Sequence, residues 1–170
     1  EAEVGLDEIV KGLTVAFEKL AEHILLAEID KHVGSVWQLI IEEGEGEWLA
    51  KEIEQFKFSA EDVQHILSKT HLPLAQHAFQ TIIHNRVSRG GILAKGAGLV
   101  KQGENGKGLA SRWYPQTLAK RIRTIHQIRQ RLSFVWGDGM KVIEHYLCRP
   151  DVVFFIDPPY TAGSGKRAGH

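Results

Sequence analysis

The stretch "VVFFIDPPYTAGSG", residues 152–165, decides how this chain is read. Five apolar residues, Val152 to Ile156, run without interruption into Asp157. Such a run predicts a strand buried on both faces, with the carboxylate emerging at its carboxyl end. Pro158 and Pro159 fix φ and carry no amide hydrogen, so their carbonyls are not consumed by a local helix ladder. Tyr160 adds an aromatic face with a polar tip. A carboxylate acceptor, a rigid carbonyl acceptor and a stacking platform therefore fall within four residues. The set suits a planar heteroaromatic ring with an exocyclic amine, whose two hydrogens need two acceptors. The structural alternative is a plain proline turn after a core strand. A phosphate-binding loop is excluded, because "GSGK" at 163–166 lacks the glycine spacing and follows the strand it should precede.

Two further apolar runs end in acids or Gly-Asp: "ILLAEID" at 24–30 and "SFVWGDG" at 133–139. Between them the spacing of apolar residues predicts helices over 7–23, 32–42, 44–56, 59–69, 72–86, 114–132 and 140–147. Ser59 with Asp62 three residues later is an N-cap signature. From Val87 to Trp113 the periodicity gives way to a glycine-rich loop, of the length that usually carries function. Helices alternating with apolar strands predict an α/β fold, with a parallel sheet covered on both faces. Ligands of such sheets sit beyond the carboxyl ends of the strands. Glu28, Asp30, Asp138 and Asp157 are expected to converge on that rim, although each alone is more often a cap or turn residue.

Length and composition bound the rest. The chain has 170 residues, 43% of them hydrophobic, enough for one domain with a core. Lys plus Arg and Asp plus Glu both number 21, but the signs are segregated. Residues 1–63 carry 16 acids and 5 bases, whereas residues 84–131 carry 11 bases and the single acid Glu104. A basic segment in a neutral chain marks a place for a polyanion, or a solvated face with uneven charge. Cys148 is the only cysteine, which rules out an internal disulfide, and it is expected to be a buried thiol rather than a nucleophile. No signal-like start and no membrane-length apolar run occur, so no membrane partner and a cytoplasmic location are expected. The nine histidines are scattered, His71 and His77 lack ligand-like neighbours in sequence, and no metal is implied.

"DPPY" at 157–160, after a hydrophobic strand, resembles the catalytic motif of the DNA adenine-specific (N6) methyltransferases. Other segments agree in order. "GLTVAFEKLAEHILLAEIDKHVGSVW" at 12–37 resembles the region leading through that family's second strand. "NRVSRGGIL" at 85–93 resembles the element opening its DNA-contacting loop, and "FVWGDGMKVI" at 134–143 its third cofactor-contacting motif. The resemblance implies a partial Rossmann-like methyltransferase α/β domain over 1–58 and 118–170, with a helical, loop-rich DNA-recognition insert over 59–117. It implies S-adenosylmethionine as cofactor and double-stranded DNA as partner. Glu28 would accept from the cofactor ribose, with Asp30 as the weaker alternative, and Asp138 would contact the cofactor adenine. The target adenine would be flipped from the duplex. Asp157 and the Pro158 carbonyl would hold its amine, within a turn stiffened by Pro159, and Tyr160 would stack on the base. Asn85, Arg86, Arg89, Lys95, Lys101, Lys107 and Arg112 would face DNA, with Trp113 and Tyr114 either stacking there or packing at a helix entrance.

Two departures bear on activity. Where the family has a glycine-rich turn before its first helix, this chain has Leu6, Asp7 and Glu8, whose side chains oppose a backbone approach to the cofactor's methionine end. The chain also stops ten residues past Tyr160, where the family continues. A fragment is therefore expected, and a non-catalytic DNA-binding remnant is the alternative to a working enzyme.

The basic segment yields a first prediction. With roughly five phosphate contacts, log affinity for duplex DNA should fall with log salt at a slope of about −4 to −5. Filter binding or anisotropy across a salt series checks it. Arg86→Ala with Arg89→Ala should weaken binding and flatten the slope.

Overall fold

The computed structural model describes residues 13–93, 98–100 and 108–156. Residues 13–17 are helical and turn into strand β1, Ile24–Glu28. Helix α1, Lys31–Trp37, runs on into a π-helical stretch, Gln38–Glu42. Helices α2 (Gly46–Gln55), α3 (Ala60–Ser68) and α4 (Leu74–Val87) follow. After short 3-10 turns, helix α5 spans Pro115–Gln127, strand β2 Leu132–Trp136 and helix α6 Gly139–Tyr146. The described residues form a mixed α/β structure, mostly helical, with a two-stranded parallel sheet.

Local chemistry accounts for the element ends. Asp30 accepts from the backbone of His32 at 2.8 Å and Val33 at 3.0 Å, capping α1. Ser59 accepts from Asp62 N at 3.0 Å, as its spacing predicts, and starts α3. Pro115 stands at the first position of α5, where no amide hydrogen is needed. Gly90 and Gly91 have φ of 66° and 72°, the left-handed region that glycine enters without strain, and this reverses the chain after α4.

The strands pair in register from Ile24 opposite Leu132 to Glu28 opposite Trp136. Arg131 aligns their starts: its guanidinium donates to the carbonyls of Ala16, at 2.8 Å, and of Ala21 and Glu22 in the turn that enters β1. His23 and Ser133 add a side-chain bond of 2.8 Å at the same end. On the far side of β2, the Glu42 carboxylate accepts from Phe134 N at 2.7 Å, so this part of the edge is closed by a side chain.

Alternation along the strands turns Ile24, Leu26, Leu132 and Phe134 toward the main core. There they join Trp37 and Ile40 of the first helical layer, Leu49 and Ile53 of α2, Ile82 of α4, and Leu118 and Ile122 of α5. A second cluster of Val63, Ile83 and Val87 binds α3 to the C-terminal half of α4, with Phe56, Phe58 and Trp113 around it.

Three expectations are corrected. Residues 152–156 form no strand; Val152 N closes a turn on Arg149 O at 3.3 Å, and Val153, Phe155 and Ile156 are 94%, 66% and 56% exposed. An apolar run becomes a strand only where a neighbour supplies a ladder, and among the described residues β1 and β2 form the only ladder in a sheet. Cover on both faces is also incomplete, since α6 buries no residue fully and Val135 is exposed. Cys148, expected to be buried, is exposed just beyond α6.

Helices α2 and α5 approach closely at Gly46, where an added Cβ would lie 2.8 Å from His126 Cβ and 3.0 Å from Cγ. Gly46→Ala should therefore destabilise the protein by about 1–3 kcal/mol in denaturant unfolding, despite alanine's better helix propensity. Gly137→Ala, whose nearest such contact is 3.9 Å, is the comparison and should cost less.

Candidate functional site

The parallel register brings the carboxyl ends of both strands together. Gly137 N donates to Glu28 O at 2.9 Å, carrying the ladder one residue past β2. Glu28 ends β1, Asp30 lies two residues on, and Asp138 lies two residues past β2, so three of the four acids expected on one rim share it. Each is engaged locally. Glu28 Oε1 accepts from Asp30 N at 2.7 Å, and Asp138 Oδ1 accepts from Met140 N at 2.9 Å, capping α6. A carboxylate has two oxygens and about four lone-pair directions. Glu28 and Asp138 thus hold their positions through one oxygen and present the other as an acceptor. Asp30 spends Oδ1 on two amides of α1.

The surroundings of the rim are small or flat. Trp136, 44% exposed, lies over Gly34, where an added Cβ would meet the indole at 3.2 Å. Gly139 sits over Ala27, with a corresponding distance of 4.0 Å. Half-exposed aromatic surface, carboxylate oxygens without a partner among the described residues, and close glycines suit a ligand with a ring and vicinal hydroxyl or amine donors. Asp157, Pro158, Pro159 and Tyr160 lie outside the described residues.

The structure divides the residues expected at DNA. The Asn85 amide donates to Gly91 O at 2.8 Å and closes the glycine turn. Arg112 reaches Ser88 O at 3.3 Å, with its guanidinium packed beside Gly91. Both residues build the turn. Arg86 is half-buried in the last turn of α4, and Arg89 is exposed at the tip. An antiparallel bridge between Ser88 and Leu99 ties this turn to residues 98–100. Trp113 packs against Phe56 and Phe58, with centroids at 5.7 and 5.1 Å, while Tyr114 is 52% exposed. Lys95, Lys101 and Lys107 lie outside the described residues.

Sequence reasoning passed over one feature next to the rim. His32 Nδ1 and His77 Nε2 are 3.0 Å apart, joining α1 to α4. The two residues are 45 positions apart, so spacing carries no signal for the pair. Burial holds both rings, and His84 further along α4, below the ordinary histidine range. Among the described residues no group of three or more His, Cys, Asp or Glu is placed to hold a metal ion, and no helix is long and apolar enough to cross a membrane.

The caps can be separated from any ligand role by substitution. Asp138→Ala should lower stability by about 1 kcal/mol through loss of the α6 cap, whereas Asp138→Asn, which still caps, should be close to neutral. Thermal or denaturant unfolding measures both. No protein-family model matches the chain, and no curated protein matches it.

Proposed function

We propose that this chain carries the cofactor rim, recognition insert and catalytic motif of an S-adenosylmethionine-dependent DNA adenine (N6) methyltransferase, on a partial Rossmann-like sheet. The observation that supports it best is the rim itself. Glu28 ends β1 and Asp138 lies two residues past the parallel β2, each held by one carboxylate oxygen with the other available. That donor set fits the cofactor: Glu28 would accept from its ribose hydroxyls and Asp138 from its adenine amine. When bound, S-adenosylmethionine supplies an electrophilic methyl group on sulfur.

The chain's own residues would handle the acceptor. The Asp157 carboxylate and the Pro158 carbonyl each accept one hydrogen of the adenine amine, directing the nitrogen lone pair away from the ring. Pro159 stiffens the turn, and Tyr160 stacks on the flipped base. Arg89, with the lysines of the glycine-rich loop, would meet phosphate, which positions a duplex without reading its sequence.

A second reading has its own observation. Asp7 and Glu8 stand where glycines would admit the methionine end of the cofactor. A carboxylate repelled at about 4 Å by a like charge at low effective dielectric loses on the order of several kcal/mol. On this reading the chain binds DNA without transferring methyl groups.

Calorimetric titration with S-adenosylmethionine and a labelled methyl-transfer assay on adenine-containing duplex separate the two. Transfer that disappears in Asp157→Ala establishes the enzyme. The acids at 7 and 8 predict weak or absent cofactor binding by the wild-type chain, recovered in part by Asp7→Gly with Glu8→Gly. Salt-dependent DNA retention with no cofactor binding in any variant leaves the second reading.

A further inference from the structure

His32 and His77 meet edge-on, with centroids 5.1 Å apart and ring planes at 70°. In the 3.0 Å contact between His32 Nδ1 and His77 Nε2, one nitrogen donates and the other accepts through its lone pair. The neutral pair satisfies this, and so does a pair carrying one extra proton. A doubly protonated pair sets two N–H groups against each other, and the bond is lost.

The charged groups acting on these rings are few. Asp30 favours charge on both, while Lys31 opposes it on both and His84 opposes it at His32. Burial is the largest influence on each ring and disfavours charge. His32 is also the second residue of α1, at the positive end of the helix, which adds to the opposition.

We propose that the His32–His77 pair is an acid-released latch between the strand rim and the helix that carries the basic turn. His32 occupies both sides of the connection. Its backbone N–H lies in the Asp30 cap at the rim, and its ring is bonded to α4. Helix α4 ends at Val87, where Asn85 and Ser88 hold the glycine turn bearing Arg89. Double protonation breaks this hydrogen bond and leaves α1 and α4 held by the apolar core they share, so the rim is tied less firmly to the turn. The latch rests on this geometry and not on any methyltransferase activity. Because the folded-state proton affinities are lowered, its stabilisation is complete above the ordinary histidine range. It declines as pH falls through that range toward the folded-state titration.

The test uses the full chain with His77→Gln, His32→Gln and, as comparison, His84→Gln. Denaturant unfolding between about pH 5 and pH 8 gives the protons taken up on unfolding, and NMR follows each imidazole. Uptake near pH 6 should fall by about one to two protons in either latch variant, and by no more than about one in His84→Gln. The deciding measurement is the titration of His32, which should move to higher pH in His77→Gln. Should that variant not fold, His77→Asn gives the same measurement. If His32 titrates at the same pH with and without its partner, the latch does not exist.

Discussion

The Arg123 guanidinium ties α5 to α2 through two partly exposed ion pairs, and the placing of β2 depends on that join. It donates through Nε and Nη2 to Glu47, at 2.9 and 3.3 Å, and through Nη1 and Nη2 to Glu54, at 2.6 and 2.8 Å. All three groups are partly screened from water, with 30%, 46% and 26% of the side chains exposed. The hydrogen bonds lower both carboxyl pKa values and raise that of the guanidinium. The planar fork matters as much as the charge, because one side chain spans two carboxylates a helix turn or two apart. It fastens α5 along α2, with Gly46 letting the backbones approach at one end. Once α5 lies there, Arg131 and Leu132 follow directly, and β2 is delivered beside β1 with the strand starts tied by Arg131.

That clamp changes the meaning of the charge segregation. The acidic N-terminal part and the basic central part are in part partners of each other. Arg123 is taken up by Glu47 and Glu54, Arg131 by three backbone carbonyls, and Arg129 by His126 O and the space beside Gly44. Among the described residues of this basic segment, Arg89 at the glycine turn and Lys120 and Arg121 on α5 stay exposed. Charge counted along a sequence therefore overstates the basic surface, since the count takes no account of which cations the fold consumes.

The same economy runs through the rim. Glu28, Asp30 and Asp138 each serve backbone amides through one carboxylate oxygen, and each has a second oxygen with no partner among the described residues. Capping and binding are compatible in one carboxylate because its oxygens point in different directions. The cap also restricts the side chain, which lowers the entropy lost when a ligand engages the second oxygen. The His32–His77 pair then links this rim to the turn through a single helix, without a long chain of contacts.

Much of this was legible in the residues. Helical periodicity, the Ser59 and Pro115 starts, and the two apolar runs ending at Glu28 and Asp138 determined the elements, because each signal is local. Their parallel order and shared rim followed from the alternation of helices with apolar runs. The tertiary structure decided everything that depends on a distant neighbour. The run Val152 to Ile156 carries the strand signature, but no ladder reaches it among the described residues, and Cys148 is exposed because α6 buries none of its residues fully. Asn85 and Arg112, expected at DNA, are found bonded to a glycine turn, while His77 finds its partner at His32 across two helices. A residue's type sets which bonds it can make, and only the fold sets which groups lie within about 3 Å to make them with.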